Sequence, residues 1–176
     1  MTHRKMPDKA NRTSIIFPLT AAVVVTADRL TKWWVSNAIA LNGSWPQTGF
    51  FRFTHGENTG AAFGMLQNSR ILLSIISSLG VLAVLYIALV LSKRFSFLTW
   101  KTTIFALGLV LGGTLGNLID RAIIGHVTDF IKVGGWPDFN IADSSLVVGG
   151  ILLAFNLIRA YGTETNGDST SSTDRR

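Results

Sequence analysis

The apolar positions of this chain fall in long unbroken runs, not in the short periods of a water-soluble core. Ile71 to Leu91 contains no charged residue. At ~1.5 Å of helical rise per residue such a run crosses the roughly 30 Å hydrocarbon layer of a bilayer. Thr102 to Ile119 is similar, and Ile141 to Ile158 is interrupted only by Asp143 near its start. Ser14 to Val35 forms a fourth run, with Asp28, Arg29 and Lys32 near its end. The pattern predicts an all-α integral membrane protein with four transmembrane helices. Between the first two, the stretch Asn42 to Gly64 includes GFFRFTHG, where aromatic and polar residues partly alternate. That alternation predicts a small β-like element in the first outer loop, lying on the membrane surface. A single membrane domain is expected over residues 14–160. The tails, 1–13 and 161–176, are expected to be disordered, since neither has apolar periodicity or enough bulk to pack.

Charge orients these helices. Arg4, Lys5, Lys9 and Arg12 precede the first run, Lys93, Arg94 and Lys101 lie between the second and third, and Arg159, Arg175 and Arg176 follow the fourth. With four helices these segments share one side, which the positive-inside rule makes cytoplasmic. Both termini are then cytoplasmic, and the net charge of +6 reflects topology and not a nucleic-acid surface. The basic start followed by an apolar run ending at Val25-Thr26-Ala27 also has the outline of a cleaved signal peptide, but an uncleaved first helix explains the same pattern.

The same topology sorts the acids. Asp8, Glu164, Asp168 and Asp174 fall in the tails, whereas Asp28, Glu57, Asp120, Asp129, Asp138 and Asp143 fall at or near the outer face. Ionisable groups at membrane depth are costly and mark a function or a paired polar site. Asp28 and Lys32, spaced i,i+4, share a helix face and can neutralise one another. Trp33 and Trp34 suit an interfacial aromatic belt, as do Trp45, Phe50, Phe51 and Phe53, which are expected to help cover a substrate. Asn58 and Gly60 end the β-like stretch, where an amide can hold a peptide backbone.

In GLVLGGTLGNLIDR, Gly108, Gly112 and Gly116 make a smooth face for close helix packing, and Gly113, Asn117 and Asp120 lie on a neighbouring face. Arg121 sits one turn from Asn117, and an Asp120/Arg121 capping cluster is the bland reading of that end. Asp143 falls in the first turn of the last helix, where the helix dipole favours negative charge and Asn140 can cap. Asp129 is set among Val127, Phe130 and Ile131, where desolvation disfavours charge. Brought together, two carboxyl groups so placed have their ionisations pushed apart, as an acid/base pair acting on water requires.

Other chemistries find fewer parts. There is no cysteine, which removes thiol nucleophiles and Cys-ligated metals. Ser144 or Ser145 with Lys132 or Lys32 would make a Ser–Lys protease, but no GxSxG surrounds them. Zinc would have only His55 and His126 outside, without HExxH. A proton- or ion-coupled carrier also uses membrane aspartates, though near the midplane.

Five blocks in order, DRLTK (28–32), NTGAAF (58–63), GGTLGNLIDR (112–121), GHVTDF (125–130) and FNIADS (139–144), resemble the lipoprotein signal peptidases, also called signal peptidase II, aspartyl proteases of bacterial membranes. The resemblance runs from about Ser14 to Ile158. Arg29 departs from it, standing where many members carry Gln. The resemblance implies that Asp129 and Asp143 are the catalytic pair. It implies that Asn58, Gly60, Asn117, Asp120, Arg121 and Asn140 hold the substrate or the pair, and that Asp28 and Lys32 stabilise the site. It further implies cleavage of prolipoproteins before a diacylglyceryl-modified cysteine at the outer face of the bacterial inner membrane, by a monomer needing no metal or cofactor, with membrane lipids and no nucleic acid as other partners.

Overall fold

The computed structural model describes residues 10–60 and 69–171. Four long helices alternate with short strands: α1 (Ala10–Ala38), β1 (Ser44–Trp45), β2 (Phe51–Asn58), α2 (Arg70–Leu89), α3 (Lys101–Ile123), β3 (Val127–Val133) and α4 (Ile141–Ser171). Two 3₁₀ turns, Leu91–Lys93 and Ser96–Thr99, join α2 to α3. Among the described residues, three segments are long and apolar enough to cross a membrane by length and composition: Arg70–Lys93, Lys101–Ile123 and Ile141–Gly162. α1 carries Asp28, Arg29 and Lys32 in its second half.

α3 is the central helix and packs against α1, α2 and α4. Its glycines make this possible. Gly108 lies against Phe17 and Thr20 of α1, Gly112 against Ala21 and Val24, and Gly116 against Asp28 and Ala142. A Cβ on Gly113 would stand 2.4 Å from the carbonyl oxygen of Ala142, so α4 closes onto α3 only because that side chain is absent. α4 returns the contact through Gly149, which meets Ala106 and Val110. Ala21, Val84, Leu107 and Leu111 form the buried apolar cluster between the helices. Ile71, Leu79, Ile151 and Ile158 face outward, as side chains bathed in lipid do.

The β-like element of the first loop is present and larger than the alternation indicated. β2 pairs antiparallel with β1 on one side and with β3 on the other, so the last connection supplies a third strand. The β2–β3 register sets Gly56 opposite Asp129 and Asn58 opposite Val127. The far end of the expected element, residues 61–64, lies outside the described residues, as does Ala61 to Phe63 of the second sequence block. α1 begins at Ala10, and α4 continues to Ser171. Residues 1–9 and 172–176 lie outside the described set.

Candidate active site

The C-terminal ends of α1 and α3, the N-terminal end of α4 and the strand β3 meet at one polar cluster. Its organising residue is Asn140, fully buried at the start of α4. The Asn140 Oδ1 accepts a hydrogen bond from the Asp143 backbone N–H at 2.9 Å, and the Asn140 N–H donates back to Asp143 Oδ2 at 3.3 Å. This reciprocal pattern is a capping box, with Asp in the place usually taken by Glu or Gln. The Asn140 amide nitrogen also donates to Asp129 Oδ1 at 2.7 Å. One residue thus holds both carboxyl groups that the sequence singled out, Asp129 through its side chain and Asp143 through its backbone N–H.

Each carboxyl group has a second support. Asn58 Nδ2 donates to Asp129 Oδ2 at 2.9 Å, while Asn58 Oδ1 accepts from the Gly60 N–H at 2.9 Å. Asn117 Nδ2 donates to Asp143 Oδ1 at 2.7 Å. The Asn117 oxygen is turned the other way by two donors, Lys32 Nζ and Asn140 Nδ2, both at 3.2 Å. Its amide orientation is therefore fixed by charge: the ammonium takes the oxygen, leaving the NH₂ for Asp143.

Behind Asn117 lies an ion cluster. Lys32 sits 2.7 Å from both Asp28 Oδ2 and Asp120 Oδ2, so the expected i,i+4 pair is one half of a larger arrangement. Asp28 and Asp120 are fully buried. Asp28 Oδ1 accepts the Ala142 N–H at 3.0 Å, tying α1 to the first turn of α4. The other oxygen of Asp120 is held by Arg29. The expected Asp120/Arg121 cap is replaced by this pairing, because Asp120 faces α1 while Arg121 turns toward Gly60 O at 3.5 Å. Arg29 is the contributor that sequence reasoning missed; its partner is distant in the chain, and no local spacing announces it.

Asp129, Asp143, Asn58 and Arg121 line a cavity of about 1020 Å³ whose remaining wall includes Leu146 and Val147 of α4. Burial raises the Asp129 carboxyl from its ordinary range to about 7, and the nearby Asp143 pushes in the same direction. The hydrogen bonds from Asn58 and Asn140, and the charge of Lys32, act against that rise. Desolvation is the largest cause, as the apolar neighbours of Asp129 predict. Such a group holds a proton near neutral pH, where it can act as an acid.

The competing constellations are taken apart by the same geometry. Ser144 and Ser145 donate back to the carbonyls of Asn140 and Ile141, one turn earlier. Lys132 pairs with Asp138, and Lys32 belongs to the ion cluster. His55 bonds the Ile39 carbonyl while His126 lies against Glu57, so the two imidazoles serve different partners. Phe53 packs edge-on to Trp34 and Phe51 and stacks with Trp45. None of Trp45, Phe50, Phe51 and Phe53 is among the residues lining the cavity, and Phe53 joins the sheet to α1 through Trp34.

Residues 20–159 match the family described as Signal peptidase (SPase) II. The chain is 40% identical over 158 residues to a lipoprotein signal peptidase of Dehalococcoides mccartyi, covering 90% of this chain and 97% of that one. A lipoprotein signal peptidase of Solibacter usitatus is 38% identical over 148 residues, with 79% and 88% covered. Among solved structures, a bacterial membrane enzyme superposes with a TM-score of 0.75 at 31% identity, covering 88% of this chain and 92% of that chain. A second bacterial membrane enzyme structure gives 0.69 at 31% identity, with 89% and 97% covered. The chain belongs to the signal peptidase II family.

Proposed function

We propose that this member of the signal peptidase II family is an aspartic endopeptidase with Asp129 and Asp143 as its catalytic pair. It removes signal peptides from prolipoproteins, cutting immediately before a cysteine that bears a diacylglyceryl group. The observation that carries the reading is the hold of Asn140 on both carboxyl groups at the wall of one cavity. Asn58 and Arg121, with Gly60 beside them, receive the substrate backbone. Asp28, Lys32, Asn117, Asp120 and Asn140 keep the pair in place.

A water molecule between the two carboxyl groups is the nucleophile, and no covalent enzyme intermediate forms. Asp143 takes a proton from the water as its oxygen attacks the scissile carbonyl carbon. Asp129, with its carboxyl raised to about 7, donates its proton to the carbonyl oxygen. When the tetrahedral diol collapses, Asp129 recovers a proton from one hydroxyl and Asp143 delivers its own to the departing amine. Both carboxyl groups end as they began.

The cavity wall passes from these acids to Leu146 and Val147, apolar residues of α4. Val147 is also exposed on the outside of the helix, so a peptide with an acylated side chain can enter from the lipid side. Asp120 lies near the end of α3 and Asp143 in the first turn of α4, which suits a reaction at a membrane boundary better than transport across the midplane. The protein sits in the bacterial inner membrane with both termini cytoplasmic and the site near the outer face. It acts as a monomer. Purified protein should cleave a diacylglyceryl-modified prolipoprotein and leave its unlipidated form intact. Equal cleavage of both overturns the lipid requirement, and cleavage of neither overturns the function.

A further inference from the structure

We infer that Arg29 is a positioning residue for the reaction, closing a charge-balanced ion cluster that holds the geometry and electrostatics of the Asp129–Asp143 pair. The inference rests on the reading of that pair as catalytic.

The cluster contains two carboxylates, Asp28 and Asp120, and two cations, Lys32 and Arg29. Three of the four are almost wholly buried, whereas the Arg29 side chain is 35% exposed and forms the rim. Lys32 Nζ donates to Asn117 Oδ1 at 3.2 Å and lies 2.7 Å from Asp28 Oδ2 and from Asp120 Oδ2. Its contact with Asp120 is to Oδ2 and not to the other oxygen. That oxygen depends on Arg29.

Two arms run from Asp120 to the catalytic pair. One passes through Lys32 and Asn117 to Asp143 Oδ1. The other is the Thr128 N–H, which donates to Asp120 Oδ2 at 3.4 Å and immediately precedes Asp129 in β3. Removing the guanidinium leaves a buried carboxylate oxygen without a donor and the cluster with one net negative charge. Lys32 is then drawn toward Asp120 and away from Asn117, loosening the amide that holds Asp143. The uncompensated charge also disfavours further negative charge on the pair.

Arg29 is not among the residues lining the cavity, so it acts through these contacts and not on substrate. The other charged groups around the pair are Glu57 on β2, with His126 against it, Arg121 on α3, and the Lys132–Asp138 ion pair. All of them remain when Arg29 alone is replaced, so a change in pH profile reports Arg29.

The test compares R29Q and R29K in full-length protein on a diacylglyceryl-modified prolipoprotein, with kcat and KM measured across the pH range of activity. R29Q should lower kcat about tenfold with KM within about twofold, because the loss is of alignment and not of substrate contact. Both limbs of its pH–rate profile should move upward by about half to one pH unit. R29K keeps the charge and should bring the limbs back to their wild-type positions. Unmoved limbs in R29Q, an equal shift in R29K, or an R29Q protein that no longer folds would each overturn the inference, the last by making Arg29 a stability element. Asp129→Asn measured alongside separates the two claims. If that variant still turns over, the reading of the catalytic pair fails; if it is inactive and R29Q has wild-type limbs, only the role of Arg29 fails.

Discussion

Replacing Asn140 with serine separates the two tasks that this residue performs. Serine is nearly as good a helix N-cap as asparagine, so the bond to the Asp143 N–H survives in kind. The 2.7 Å hydrogen bond to Asp129 Oδ1 does not survive, because a hydroxyl cannot cap α4 and still span the distance to β3. A hydrogen bond to a charged group contributes about 1.5 to 3 kcal/mol, which corresponds to roughly one to two pH units. Asn140 stabilises the ionised form of Asp129, whose carboxyl already stands at about 7. Losing that donor therefore moves it further up. The alkaline limb of the pH–rate profile, which reports loss of the Asp129 proton, should shift to higher pH by about one unit or more. Turnover at the optimum should fall, on the order of a hundredfold, because Asp129 is no longer aligned with Asp143. Asn140→Ala should show the same kinetic defect plus a further loss of about 1 kcal/mol in stability, the worth of the cap. Cleavage of a lipidated prolipoprotein across pH, with thermal unfolding of each variant, provides the readout. Wild-type turnover and an unmoved alkaline limb in Asn140→Ser would refute the claim that Asn140 joins the pair.

Three further outcomes follow from the packing. Gly113→Ala would place a Cβ 2.4 Å from the Ala142 carbonyl oxygen and 2.9 Å from Leu146 Cγ. It should cost about 1 to 3 kcal/mol in unfolding measurements and reduce turnover, whereas Gly150→Ala, with nothing within 4 Å, should do neither. Phe53→Ala removes the ring that joins Trp34, Trp45 and Phe51, so it should lower stability by about 1 to 3 kcal/mol with KM unchanged; a raised KM at full stability would return these aromatics to substrate binding. In a chain with no cysteine, Gln47→Cys should react with an impermeant thiol reagent from outside the cell and Ser96→Cys only after the membrane is opened, and equal outside labelling would contradict the orientation.

What was legible in the sequence was local. The Asp28–Lys32 pair and the Asn140 cap on Asp143 depend on spacings of four and three residues within one helix or at its start, and both are present. The glycine ladder of α3 was readable because a repeat of four residues puts small side chains on one face whatever packs against it. β3 left a weaker signal. Val127–Val133 is rich in β-branched and aromatic residues and ends at Gly134, but its strand character is completed only by pairing with β2, far back in the chain. The Arg29–Asp120 pair spans 91 residues and arises from the approach of α1 to α3, a tertiary event no local pattern encodes.

The most direct test of the central claim is the turnover of Asp129→Asn, Asp143→Asn and the double variant on a lipidated prolipoprotein, each confirmed to be inserted and folded. Asparagine keeps the shape and most hydrogen bonds of aspartate while removing the transferable proton. General acid–base contributions run to roughly 10² to 10⁴-fold, so each single variant should lose nearly all cleavage. Because the two carboxyl groups act as one unit, the double variant should be little worse than either single one. Near-wild-type turnover by Asp129→Asn or Asp143→Asn in folded protein would contradict the account.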